Sequence, residues 1–361
     1  MNVYIRVDAS IEIGTGHVMR CLTLAEKLQE QGADIRFICR EHKGHLINLI
    51  TAKGYEVLVL QRPRENGMAL NVRGHTPWLG VPLSVDAKQT MELLMNCSVD
   101  LLIVDHYAIN EDWEVILRDQ AKKIMVIDDL ADRKHDCDFL LDQNFIQDYQ
   151  NRYDSLVPSY CKTFLGPSYV LLRPEFYHQL KKQKLRTGAV KRILIFYGGI
   201  DHTNETGKAL SSFLALGRND IEVDVVVGQS NLYKMEIASI CNMYEYLHFH
   251  CQIDNMAELM NWADLSVGAG GTTTWERCIL GLPSIVVSIA ENQEEICKSL
   301  AKGKVITYLG EKETIEQSCL TRHLKILIEN EAERTEMSRL SYQLMKDTLV
   351  SQQMMIKELM G

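Results

Sequence analysis

The chain has 361 residues, a length that favours two domains because single cores stop growing near ~250–300 residues. Its 46% hydrophobic and 24% charged content excludes disordered and fibrous classes, and a net charge of −9 argues against a general nucleic-acid binder, which needs a basic face. The ten cysteines are scattered and form no C-x-x-C pair, which removes zinc knuckles and thioredoxin-type motifs. Arg6 and Asp8 interrupt the first apolar stretch and read against a signal-peptide core. No run approaches the ~20 apolar residues that cross a bilayer. The expectation is a cytoplasmic protein with reduced thiols and no membrane insertion.

Short β-branched runs alternate with amphipathic segments, the pattern of a parallel α/β fold. In the first half, strands are expected at 3–7, 35–39, 57–60, 101–104 and 124–127. The second half repeats the pattern at 193–196, 223–227, 247–249, 265–267 and 285–287. These runs are apolar along their whole length, as in sheets covered by helices on both faces. The stretch from Arg62 to Val85, punctuated by Pro and Gly, reads as a long loop of the kind that often carries function. The basic stretch Lys181–Gly188 is the linker candidate. The chain therefore divides into domains at 1–180 and 190–361, each Rossmann-like, facing a cleft at the carboxyl ends of their strands. From about Glu331 to Gly361 the pattern is helical, and the last helix either packs in place or crosses back onto the first domain.

The first chemical motif runs from Asp8 to Cys21. A strand ends, Gly14-Thr15-Gly16 allows close backbone approach, and a helix starts near His17. Open amides at such a start favour an anion. A histidine there tends to stay neutral and can act as a base, although capping or packing would equally explain it. The second motif, Asp264–Glu276, runs from a strand through Gly268, Gly270 and Gly271 into Thr272, Thr273 and a helix. These amides and hydroxyls suit a diphosphate, and Glu276 suits ribose hydroxyls; a capping-box role is the plainer alternative for the carboxylate. Gly198 and Gly199 repeat the strand-to-glycine turn after the strand at 193–196.

Tyr107, in the trio Asp105-His106-Tyr107 after a buried strand, is placed to donate to a water or a sugar oxygen, with a locally satisfied core tyrosine as the alternative. Asn292 and Gln293 follow the strand at 285–287 and suit a sugar's polar groups. His42 and His45 are read as sharing a helix face and being solvated. Asp128-Asp129 reads as a loop start rather than a metal site. No metal and no cofactor are expected: the nicotinamide fingerprint fails because the second strand leads into Arg40, not an acid.

In combination, Ile13–Cys21, Asp105–Tyr107, Asp128–Arg133, Leu140–Asn144, Gly268–Glu276 and Glu291–Gln293 resemble the UDP-2,4-diacetamido-2,4,6-trideoxy-β-L-altropyranose hydrolases of pseudaminic acid biosynthesis. That family is in turn similar to inverting glycosyltransferases of two Rossmann-like domains, the GT-B arrangement. The resemblance implies His17 as general base toward water, Tyr107 near that water, and Gly271, Thr272 and Thr273 at the diphosphate. It also implies Glu276 at the ribose, Asn292 and Gln293 beside the sugar, and no metal. The expected partner is a small UDP-sugar, with no nucleic acid. Two further readings stay open: a UDP-sugar glycosyltransferase of surface polysaccharide synthesis, and a non-catalytic nucleotide-sugar binding protein.

Overall fold

A computed structural model describes residues 1–61, 75–180, 182 and 186–361. Residues 62–74 of the expected long loop, and 181 and 183–185 of the expected linker, lie outside the described residues. The chain divides into two compact units: residues 1–144, 148–171 and 348–361 form the first, and 145–147 with 172–347 form the second.

The first unit alternates strand and helix: β1 Asn2–Val7, α1 Gly16–Glu30, β2 Asp34–Arg40, α2 Ile47–Ala52, β3 Glu56–Leu60, α3 Leu83–Leu94, β4 Val99–Asp105, α4 Glu111–Leu117 and β5 Ala121–Ile127. Two short strands follow, β6 Phe139–Asp142 and β7 Lys162–Leu165. The seven strands form one sheet in the order β3-β2-β1-β4-β5-β6-β7, with parallel neighbours throughout. The strand order reverses between β1 and β4, where Val7 pairs with Asp105. Connections leave these two strands in opposite directions, and the space above their carboxyl ends is where open α/β sheets bind ligands.

The second unit begins with α5 Pro174–Leu180 and continues through β8 Arg192–Phe196, α6 Glu205–Leu214, β9 Glu222–Val227, α7 Lys234–Cys241, β10 Leu247–Cys251 and α8 Met256–Trp262. Then come β11 Leu265–Ala269, α9 Thr273–Ile279, β12 Ser284–Ser288, α10 Glu294–Lys302, β13 Thr307–Glu311, α11 Gln317–Glu329 and α12 Glu331–Met345. Its six strands lie in the order β10-β9-β8-β11-β12-β13, again parallel, with the reversal between β8 and β11. A final helix, α13 Thr348–Met360, belongs to the first unit.

The ten strands expected from β-branched runs all occur; β6, β7 and β13 are additional. The step from first to second unit falls at Leu171/Leu172, ahead of the basic stretch, because α5 packs on α8 and α9 and buries Phe176 there. The helical pattern after Glu331 is two helices, broken at Lys346-Asp347. α13 places Met355, Ile356 and Leu359 in the same apolar cluster as Val18, Leu24 and Leu28 of α1. The opposite face of that sheet has its own cluster around Leu102, Ile124 and Trp113. The second unit has a separate core built on Ile193, Val225, Val267 and Ile285.

Candidate functional site

In the first unit the polar end of an apolar stripe meets a strand end. On α1, His17, Arg20, Cys21, Leu24 and Leu28 recur at helical spacing and are all buried. Leu24 and Leu28 join the core, while His17, Arg20 and Cys21 converge on Asp105, the last residue of β4. The loop leading into α1 is held by Ser10: its hydroxyl accepts from the amides of Glu12 and Ile13, and its carbonyl accepts from Gly14. Gly14 adopts φ +80°, a left-handed turn that places Gly16 at the helix start.

His17 Nδ1 lies 2.6 Å from Asp105 Oδ1. An ionised carboxylate only accepts, so this nitrogen carries the proton and Nε2 is left as the basic nitrogen. Arg20 grips the same carboxylate with both prongs, Nε to Oδ2 and Nη2 to Oδ1 at 2.6 Å each. Burial alone would raise the Asp105 carboxyl, but the Arg20 guanidinium, with His17, holds it well below the usual range. Asp105 therefore stays charged and keeps its hold on the imidazole.

Arg20 also donates through Nη1 to Asp129 Oδ2 at 2.6 Å, and Tyr107 OH donates to the same oxygen at 2.6 Å. Asn144 Nδ2 donates to Asp129 Oδ1 at 2.9 Å. Asp129 follows β5 and Asn144 follows β6, so the ends of three neighbouring strands supply this network. Burial, and then the Asp129 charge, push the Tyr107 phenol well above its ordinary value, which keeps it a donor. The Tyr107 and His17 rings meet edge to face at 4.5 Å between centroids, and Trp78 stacks on Tyr107 at 5.6 Å and 22°. His75 touches both Trp78 and Tyr107.

Behind this network is a second, fully buried one. Arg6 and Arg40 clamp Asp86, Arg6 also pairs with Asp8, and Trp113 Nε1 donates to Asp86 at 3.0 Å. His106, the middle of the sequence trio, faces Asp8 with Nε2 at 3.4 Å. His42 and His45 share no helix: both lie in the loop before α2, and His42 is nearly buried with Nε2 3.5 Å from Asp8. The buried acid Asp8 draws that ring inward, which a periodicity reading could not reveal. Among the described residues no cluster of His, Cys, Asp and Glu has metal-holding geometry.

In the second unit the two glycine turns leave adjacent strands, β8 and β11, at their carboxyl ends, where Gly268 pairs with Phe196. A Cβ at Gly268 would stand 2.3 Å from the Phe196 carbonyl oxygen, and one at Gly270 would stand 2.3 Å from Cys297 Sγ. Gly198, at φ +95°, turns the chain after β8, and Gly199 lies so close to Gly228 that a Cβ on the latter would reach 2.2 Å from its carbonyl. The sequence thus needs glycine for packing as well as for ligand approach.

Bonds from Thr274 N to Gly271 O and from Trp275 N to Thr272 O open the helical ladder. The amides of Gly271, Thr272 and Thr273 precede it, and such early amides lack intrahelical partners. Thr272 stands at the N-cap in helical conformation and makes no side-chain capping bond. Gln293 comes to the same turn: its Nε2 lies 3.5 Å from the Cβ position of Gly271, and its Oε1 accepts from Ile289 N at 3.0 Å. Asn292 is exposed beside it.

Glu276, one turn into α9, is buried. Its Oε1 accepts from Arg173 Nε and Nη2 at 3.2 and 3.0 Å, and its Oε2 is buried with no hydrogen-bond partner among the described residues. The capping-box alternative is thus replaced by an arginine far away in sequence. Arg173, Arg20, Asp129 and Trp78 are the site residues that sequence reasoning missed. Only Asp129 and Arg20 lay within motifs already noticed.

Similarity to known proteins bears on the fold. Residues 192–354 match the glycosyltransferase family 28 C-terminal domain. An uncharacterised protein of Methanocaldococcus jannaschii is 28% identical over 86% of the chain, which spans 60% of that relative's length. A UDP-2,4-diacetamido-2,4,6-trideoxy-beta-L-altropyranose hydrolase of Campylobacter jejuni is a distant homologue, 27% identical over 84% of the chain and 97% of its own length. Among solved structures, MurG of Acinetobacter baumannii superposes with a TM-score of 0.67 at 15% identity, covering 99% of both chains. The fold is thus of the GT-B type, with two parallel-sheet α/β domains.

Proposed function

We propose that this protein hydrolyses a UDP-activated sugar, with water attacking the anomeric carbon and UDP leaving. The observation that carries this reading is the His17–Asp105 pair, 2.6 Å apart and clamped by Arg20. A carboxylate that fixes the proton on Nδ1 presents Nε2 as a general base, the arrangement needed to take a proton from water as it attacks. Tyr107 gives its one proton to Asp129, which leaves the phenol oxygen to accept a hydrogen bond from that water and orient it. In the second unit the amides and hydroxyls of Gly271, Thr272 and Thr273 offset the charge that develops on the diphosphate as the C1–O bond breaks. The free oxygen of Glu276 accepts from ribose hydroxyls, and Gln293 with Asn292 lies beside the sugar. Gly14, Thr15, Gly16, Gly198 and Gly199 provide the close backbone approach that such a ligand needs. No metal enters this scheme. The sugar proposed is UDP-2,4-diacetamido-2,4,6-trideoxy-β-L-altropyranose, from the homologue named for its hydrolysis.

The match of residues 192–354 to a glycosyltransferase domain favours one second reading, transfer of the same sugar to an acceptor hydroxyl in place of water. His17 would serve that reaction equally. A non-catalytic binding protein would have no use for a clamped His–Asp pair. The deciding experiment incubates the protein with the UDP-sugar and no acceptor. Release of UDP and free sugar at an enzymatic rate, lost in His17→Ala while UDP still binds, supports the hydrolase. UDP binding without release would move the reading to the transferase, and full turnover in His17→Ala would remove the base from the mechanism.

A further inference from the structure

Arg277 follows Glu276 on α9 and is 2% exposed. Buried arginines elsewhere in this protein sit against carboxylates (Arg6 on Asp8 and Asp86, Arg20 on Asp105) or cap helix ends through several carbonyls, as Arg186 and Arg334 do. Arg277 does neither. Its hydrogen-bond partners are all neutral: Nη2 donates to the Ala269 carbonyl at 2.7 Å and to Thr274 Oγ1 at 3.0 Å, and Nη1 to Thr273 Oγ1 at 3.5 Å. Nε is buried without a partner among the described residues. The adjacent carboxylate, Glu276, is engaged by Arg173 instead. Burial pushes the Arg277 guanidinium below its ordinary value, yet a guanidinium at neutral pH keeps its charge. A buried cation without a counter-charge is costly, and an anion bound beside it would offset that cost.

The location says which charge. Nη1 packs against the glycine turn itself, 2.9 Å from where a Cβ at Gly268 would stand, so the guanidinium lies directly under Gly268–Ala269. From there it fixes the carbonyl of Ala269, which orients the next peptide of the turn. It also donates to two threonine hydroxyls. A hydroxyl that accepts from a cation has its own proton free to donate, and Thr273 is the half-buried one of the two.

We propose that Arg277 is a positioning residue for an anion of the diphosphate class held on the Gly268–Thr273 turn. It supplies the buried positive charge that balances the phosphates and turns the Thr273 O–H outward toward them. This rests on the nucleotide reading of the same turn. It goes further by assigning the selectivity for phosphate over nucleoside to a side chain that does not touch the ligand.

The test compares UDP with uridine by calorimetry in the full-length protein, since only the former carries the anion. The wild type is expected to bind UDP well above uridine. In Arg277→Gln the UDP-over-uridine preference should fall by about tenfold or more, with uridine affinity held within about twofold, because the charge and the Thr273 hydroxyl it orients both act on the phosphates. Arg277→Lys keeps the cation but cannot span the carbonyl and the hydroxyls together, so its preference should fall between the two. That variant also carries the test if Arg277→Gln does not fold. A preference unchanged in either folded variant overturns the proposal, as does an equal loss of uridine and UDP, which marks a purely structural arginine. Failure of the wild type to bind either ligand overturns the nucleotide reading instead.

Discussion

With Nδ1 of His17 committed to Asp105, the ring takes a further proton only at Nε2. Asp105→Asn tests this. An amide keeps the shape but offers the ring a donor, so the proton moves to Nε2 and the base is lost. The expected result is a fall in kcat of about 10³–10⁴-fold, the scale seen when a triad aspartate becomes asparagine, with UDP affinity unchanged. A loss below about tenfold would mean that Asp105 does not set the tautomer. Tyr107 makes a gentler case. Its hydroxyl is bound to Asp129 at 2.6 Å, and Tyr107→Phe removes one hydrogen bond, of about 0.5–1.5 kcal/mol, so kcat for UDP release should fall by about two- to tenfold. A loss beyond about a thousandfold would instead put the phenol in direct contact with the reacting atoms. His17 and Tyr107 were candidates from the sequence because one stands in the first turn of the helix after β1 and the other two residues beyond β4, where chemistry concentrates in α/β folds. Arg20 and Asp129 were not, because their role is a contact across 109 residues of chain. Arg173 is farther still from any motif, and nothing local marks it as the partner of Glu276.

At the scale of elements, the glycine turn of β11 shows the difference between glycine needed by the fold and glycine needed by a ligand. A Cβ at Gly270 would stand 2.3 Å from Cys297 Sγ, whereas at Gly271 the nearest atom would be Gln293 Nε2 at an ordinary 3.5 Å. Gly270→Ala must therefore push α10 away from the turn, at about 1–3 kcal/mol as for other overpacked sites, and Cys297→Ala should recover part of that loss. Gly271→Ala should leave the melting temperature nearly unchanged and weaken UDP binding alone. Thermal denaturation of the three variants checks the pattern; equal destabilisation by both glycine changes would overturn it. Ten of the strands were readable, the edge strands β3 and β10 among them. β6 and β7 have four residues each, and β13 is a half-exposed edge strand containing Gly310, so none gives a long enough apolar run to be seen. Sheet order was equally invisible, because it is set by pairing between strands far apart in sequence.

For the molecule as a whole, two devices hold the first unit together, and each predicts a distinct failure. The first is ionic. Burial would raise the carboxyls of Asp8, Asp86, Asp105 and Asp128, but Arg6, Arg20 and Arg133 more than offset it and hold all four below the ordinary 3.8. The unfolded chain then binds more protons than the folded one at low pH. This stability is complete above the unfolded value and is lost as pH falls through the lower folded values, so unfolding should set in below about pH 4. A melting temperature that stays flat from pH 6 to pH 3 would contradict it. The second device is α13, which follows every helix and strand of the second unit yet completes the core of the first. Met355, Ile356 and Leu359 are buried there, and at about 1.5–3 kcal/mol each they contribute on the order of 5–9 kcal/mol, most of what keeps a domain folded. Deleting residues 348–361 should therefore strip α1 and the Pro167–Tyr169 turn of a packing partner and unfold the first unit. The second unit keeps its own core around Ile193, Val225 and Val267. The deletion should thus abolish turnover and the cooperative transition of one unit, while UDP binding and the transition of the other persist. Retained turnover would show that α13 is dispensable to the first unit. Loss of both transitions would show that the two units do not fold independently.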